Sequence, residues 1–135
     1  FRQSHRQAQG VRDVALSLGP TAPQVIAAGD AGVAIAALVG GDIGAARAWV
    51  VEVLGPLAGT GDSDERLRET LRVYLRSGSS FKAAADELHL HYNSVKYRVR
   101  RAVERRGRPI GTDRLEVEVA LLLCQWYGEA VLSTR

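Results

Sequence analysis

Apolar residues recur at helical intervals along most of this chain, and glycine, proline and serine separate the runs. Over residues 4–18, Val11, Val14, Ala15 and Leu18 hold one stripe, and Gly19-Pro20 stops it. Residues 24–28 are short and partly β-branched, which fits one short strand in the N-terminal segment. Asp30 suits the cap of a short helix ending at Gly40-Gly41. Asp42 suits the cap of another, with Ala45, Ala46, Trp49, Val50, Val53 and Leu54 inward and Gly55-Pro56 at its end. A breaker-rich joint follows at residues 59–63. Beyond it a helix is predicted over 64–76, with Leu67, Leu71, Tyr74 and Leu75 on one face. Ser77-Gly78-Ser79 ends that helix. A short helix follows over 81–88, with Ala84, Ala85 and Leu88 inward, and a longer one over 91–105, stopped by Gly107 and Pro109. Thr112 or Asp113 then caps a last helix to about residue 132, with Asp113 and Glu116 spaced as a capping box. The expected fold is mainly α.

The pair over 81–105 carries the functional signal. Two helices that cross steeply need small residues at the crossing, and Ala84 and Ala85 supply them. Leu88 and Leu90 bracket the turn. Val95, Val99, Ala102 and Val103 form the inward stripe of the second helix, a spacing that resembles a Fis-like helix-turn-helix bundle with flanking helices. At 100° per residue the opposite face carries Asn93, Tyr97, Arg100 and Arg101, with Lys96 on its shoulder. Tyr92 and Asn93 lie at the helix start, the end that enters the major groove in such motifs. Asn suits adenine edges, Lys and Arg suit guanine, and Tyr suits a thymine methyl or a phosphate. The base-facing set is therefore Tyr92, Asn93, Lys96, Tyr97 and Arg100. The phosphate set is Ser79, Ser80 and Lys82 at the start of the first helix, with Ser94, Arg98 and Arg101 on the second. Arg105 is also placed for phosphates. Structural readings stand beside these roles. Tyr97 can pack on the last helix, Asn93 and Ser94 can cap their own helix, and Arg105, Arg106 and Arg108 can simply favour a helix-end dipole.

Charge sharpens the picture. The 135 residues carry a net charge of +3. Residues 1–60 balance four Arg against four acids, whereas residues 82–108 hold eight Lys and Arg against three acids. A local excess of that kind points to an anionic partner such as nucleic acid. No apolar run is long enough to span a membrane, and the opening residues are not a secretory signal. With Phe1 at its start and no Met, the sequence is expected to be a piece of a longer protein. Its one cysteine, Cys124, excludes an internal disulfide and fits a reducing, cytoplasmic setting.

Catalytic chemistry finds no support. His89 and His91 lack further ligands at metal-binding spacing, so no metal is expected. Cys124 sits in an apolar run and reads as a small buried group. No phosphate-cradling Gly-x-x-x-x-Gly-Lys motif occurs, and neither a cofactor nor an active site is expected. The last helix is apolar on two sides, which suits burial against the helix-turn-helix on one and a second subunit or the N-terminal segment on the other. A homodimer would match a palindromic site. The rival reading is a helical protein-interaction module contacting polymerase or a partner regulator.

Three runs carry a family resemblance. They are Leu67-Arg68-Glu69-Thr70-Leu71 with Tyr74-Leu75, then Ala84-Ala85 with Leu88, then His91-Tyr92-Asn93-Ser94-Val95 with Tyr97-Arg98-Val99. Together they closely resemble the C-terminal DNA-binding domain of PucR/CdaR-type bacterial transcription regulators. That family shows a His-Arg-Asn-Thr-x-x-Tyr-Arg-Leu signature in the second helix. Tyr92, Ser94 and Val99 replace its Arg, Thr and Leu, and Tyr92 removes a cation at the groove. Residues 114–121 and the Val53-Leu54-Gly55-Pro56-Leu57 stretch also resemble family segments. The resemblance implies a DNA-binding domain over 60–135 and, over 1–59, the C-terminal part of an upstream GGDEF-like or coupling domain. It also implies an effector that binds outside this fragment. Gly40-Gly41-Asp42 is read as a chance match, because Ile43-Gly44 follows where an active cyclase motif has Glu-Phe.

Overall fold

The computed structural model describes residues 41–133. The expected helices over 4–18 and 30–39 and the strand over 24–28 lie outside them. Five α-helices follow in order: α1 (Ile43–Leu54), α2 (Asp62–Arg76), α3 (Phe81–Leu88), α4 (Tyr92–Arg106) and α5 (Arg114–Tyr127). Single 3-10 turns extend α1 over Gly55–Ala58 and α5 over Gly128–Val131. Among the described residues no strand occurs, and no helix is long and apolar enough to cross a membrane.

Asp42 caps α1, its Oδ1 accepting the Ala45 N–H at 3.1 Å. Ala46, Val50, Val53 and Leu54 are buried, Trp49 is half-buried and Ala45 is exposed. At Gly55 the backbone turns left-handed (φ 57°), which glycine adopts without a Cβ penalty. An added Cβ there would also press on the Arg106 carbonyl at 3.1 Å. Residues 59–61 then connect to α2. Both sides of this joint feed one core: Val50, Leu54 and Leu57 before it, and Leu71, Val95, Val117, Leu121 and Leu123 after it, are all almost fully buried.

α2 starts at Asp62, two residues before the expected Asp64, and Asp64 is itself buried. Leu67, Leu71 and Leu75 face inward as expected. α3 covers the expected residues 81–88, and α4 is shifted by one residue from the expected 91–105. The last helix departs further from the sequence pattern. α5 stops at Tyr127, because Gly128 takes a left-handed φ of 58° and the chain tightens into a 3-10 turn. The capping box does not form. Asp113 precedes α5 without a side-chain cap; its Oδ1 accepts the Gly111 N–H at 3.1 Å and its Oδ2 accepts from Arg106.

Four arginines tie helix ends to the chain around them. Arg68, 7% exposed, donates from Nη1 to the carbonyls of Leu57 (2.8 Å) and Gly59 (2.6 Å), fixing the α1–α2 joint. Arg106, 4% exposed, donates to the Val53 carbonyl at 2.8 Å and the Pro109 carbonyl at 3.2 Å. Arg108 reaches the Glu52 carbonyl at 2.9 Å, and Arg114 reaches the Leu75 carbonyl at 2.9 Å. The last carbonyls of a helix lack intrahelical partners, so a guanidinium fork is a fitting cap for them. The expectation that Arg106 and Arg108 only ornament a helix end is corrected here: both hold the end of α1 against the end of α4.

Candidate nucleic-acid interface

α3 and α4 meet where Ala84 and Ala85 on one and Val95 on the other are buried, so the small residues do allow close approach. Ser80 caps α3, its Oγ accepting the Ala83 N–H at 3.1 Å. Ser79, just before it, is left-handed (φ 61°). The turn between the helices bends at His89, also left-handed (φ 55°, ψ 43°), with the Leu90 N–H donating to the Ala85 carbonyl at 3.0 Å. The cap of α4 is His91. Its Nδ1 accepts the Asn93 N–H at 3.0 Å, which places the proton of a neutral ring on Nε2. Neither Asn93 nor Ser94 is the cap residue.

With its start held this way, α4 buries Val95, Val99, Ala102 and Arg106 and turns the opposite face to solvent. Asn93, Lys96 and Arg100 are exposed, as are Tyr92 (44%) and Tyr97 (54%). Tyr97 therefore does not pack on the last helix. The Arg100 guanidinium lies over the Tyr97 ring, 5.6 Å from its centroid, a cation–π contact that holds both on the outer face. Tyr92 meets the edge of Phe81 at 5.7 Å, and Phe81 stacks on Tyr74 at 4.7 Å. This aromatic chain joins α2, the start of α3 and the start of α4. All five residues expected to face bases are thus on one exposed surface at the N-terminal two-thirds of α4.

The residues expected to face phosphates are more varied. Lys82 is exposed at the first turn of α3 beside half-buried Ser79 and Ser80. Ser94 and Arg98 are half-buried flanks of α4. Lys82, Lys96, Arg98 and Arg100 have no ion pair among the described residues. Arg101 differs, pairing with Glu104 at 3.1 Å one turn on. Arg105 is corrected outright. Its fork grips the buried Asp64 of α2, with Nε to Oδ1 at 3.0 Å and Nη2 to Oδ2 at 3.3 Å, and that hydrogen bond holds its guanidinium above its ordinary value. It locks α4 to α2 instead of waiting for a phosphate.

Sequence reasoning missed His91 as a cap and Arg106 as a buried clamp. A signal for Arg106 was present: it continues the inward series Val95, Val99, Ala102 by one more helical turn. Cys124 is mostly buried, and burial pushes its thiol up to about 11, against a weaker opposing pull from Arg68. That is the behaviour of an inert thiol. Among the described residues no group of His, Cys, Asp and Glu is placed to hold a metal ion.

Residues 67–123 match the family described as the PucR C-terminal helix-turn-helix domain. This stretch is similar to a PucR-type helix-turn-helix. The matched span runs from within α2 through most of α5, so it contains the whole exposed face of α4. The chain is 45% identical over 83 residues to an uncharacterized protein in the pkwA 5' region of Thermomonospora curvata, covering 62% of this chain and 43% of that protein. It is 40% identical over 68 residues to uncharacterized protein Rv2242 of Mycobacterium tuberculosis, covering 50% of this chain and 16% of that one. Uncharacterized protein YxkF of Bacillus subtilis is 38% identical over 45 residues, 33% of this chain and 15% of that protein. The chain thus spans less than half the length of these curated relatives. No solved structure matches it.

Proposed function

We propose that the PucR-type segment binds double-stranded DNA in a sequence-specific way, as part of a bacterial transcription regulator. The observation that carries this reading is the exposed face of α4, where Asn93, Lys96, Tyr97 and Arg100 stand together and neither cation has an ion-pair partner among the described residues. An unpaired cationic surface on the second helix of a helix-turn-helix is complementary to a duplex groove. In this reading α4 lies in the major groove. Asn93, near the start of α4, bonds an adenine edge, and Lys96 and Arg100 reach guanine O6 and N7. Tyr92 and Tyr97 lie against thymine methyls or bond phosphates. Lys82, Arg98 and the N–H groups of the first turn of α3 hold the phosphate backbone, with Ser79, Ser80 and Ser94 beside them. Arg101 joins them only by releasing Glu104.

The protein acts in this account as a cytoplasmic homodimer, two copies of α4 reading the halves of a palindromic site. An effector binds outside this fragment. Residues 1–59 are taken, on the family resemblance, as the end of an upstream GGDEF-like or coupling domain whose last helix, α1, shares its core with the helices after the joint. A second reading, a helical protein-interaction module, draws on Leu115, which is 69% exposed on α5. Salt separates the two. Binding of a labelled random duplex is expected to weaken steeply with added salt, by roughly 0.9 powers of salt for each phosphate neutralised. Affinity for duplex that ignores salt, or no affinity at low salt, would leave the interaction-module reading standing.

A further inference from the structure

Away from α4, a cleft of about 380 Å³ opens between α2 and the end of α5. Its apolar lining is Leu121, Leu132 and the Cys124 side chain. Arg68 borders it with an unusual balance of contacts. It is more than nine-tenths buried, and among the described residues only Nη1 of its three nitrogens hydrogen-bonds, to the carbonyls of Leu57 and Gly59. Among the described residues no carboxylate lies within ion-pair distance of it. A buried cation without a counter-charge is costly, and backbone carbonyls offset only part of that cost. One helical turn on, Arg72 borders the same cleft, half-buried and likewise without an ion pair among the described residues. Burial, helped by the nearby Arg76 charge, depresses its guanidinium, and Glu69 opposes the effect. The exposed charged residues around the cleft have the opposite sign: Glu65, Glu69 and Glu129.

We propose that this cleft binds a small zwitterion, an amino-acid-like molecule whose carboxylate pairs with Arg68 and Arg72 and whose distal ammonium meets the glutamates outside. The arrangement selects against simpler ions. A lone anion must pass three carboxylates, and a lone amine leaves the buried guanidinium uncompensated. The cleft volume is at the lower end of that of small-molecule sites, which suits a molecule of amino-acid size. The site is separate from the DNA-reading face, so it stands or falls independently of the function proposed above.

L-Lysine, which carries a carboxylate and a distant ammonium, is the probe. Titrated into the isotope-labelled chain, it is expected to shift the Gln125 side-chain amide and the Thr60 and Gly128 backbone amides, saturating near about 1 mM. The Asn93 and Lys96 amides on α4 should stay still. Arg72→Gln is expected to lose at least about tenfold in affinity while its amide spectrum otherwise keeps the folded pattern. Acetate and butylamine should each bind far more weakly than L-lysine. Shifts that never saturate, unchanged affinity in Arg72→Gln, or equal binding of butylamine or acetate would overturn the assignment.

Discussion

The Arg106 side chain, at the last turn of α4, donates from Nε to the Val53 carbonyl at 2.8 Å, 53 positions earlier in the chain. The guanidinium is buried, and its other nitrogens reach the Pro109 carbonyl and the Asp113 carboxylate. One side chain therefore sets where α4 ends relative to α1 and the start of α5. Arg106→Ala removes the donor and leaves the carbonyl and carboxylate without it. The expected loss is about 3–5 kcal/mol, seen as a lower midpoint in urea unfolding. Arg106→Lys, which lacks the fork, should recover only a minor part.

Acid should expose the same cluster. The Arg106 hydrogen bond, followed by that from the Gly111 N–H, holds the Asp113 carboxyl below the 3.8 of a free aspartate. A depressed carboxylate adds stability above its unfolded value, and that stability is lost as pH falls through the folded value. Stability of the wild type is thus expected to fall as pH drops below the usual aspartate range. Asp113→Asn should be less stable at neutral pH and show a shallower acid decline. Identical acid profiles for the two would remove Asp113 from the account.

His89 holds a left-handed backbone that costs an ordinary side chain roughly 1–2 kcal/mol. His89→Gly relieves that strain at the cost of a more flexible unfolded chain. The net expectation is a gain of up to about 1 kcal/mol in unfolding free energy, with no gain for His89→Ala, since Ala keeps the Cβ.

Much of this frame is legible in the residue pattern, for reasons that differ by element. The helix over 81–88 is bounded by Ser80, a capping oxygen, and by a turn after Leu88, so both its ends could be read locally. The inward Val95 and Val99 and the outward Asn93, Tyr97 and Arg100 follow from helical period alone. The roles of the arginines do not. Whether a guanidinium waits for phosphate or grips an oxygen of the protein depends on partners far along the chain: Arg105 finds the Asp64 carboxylate, 41 positions away, and Arg108 finds the Glu52 backbone carbonyl, 56 positions away. The capping box failed for the same reason, because Arg106 and Gly111 claim the Asp113 carboxylate before α5 can use it. His91 was passed over as a cap because its type more often signals chemistry than helix starts.

Tyr92 stands where the resembled family signature has Arg. Its ring meets Phe81 edge-on, while nearly half of its surface stays exposed at the start of α4. Tyr92→Arg is expected to cost about 0.5–1.5 kcal/mol of stability through the lost aromatic contact. It should also tighten DNA binding at low salt and steepen the salt dependence by about one phosphate's worth. An unchanged salt slope would mean that this position does not approach the backbone.

The central claim is that the outer face of α4 reads bases. Sites selected from a random duplex library provide a preferred sequence, and Asn93→Ala can then be compared with the wild type by fluorescence anisotropy on that sequence and on a scrambled duplex. The selected site is expected to lose about 1–3 kcal/mol of binding free energy, with the scrambled duplex nearly unaffected. Equal losses on both duplexes, or none on either, would contradict that claim.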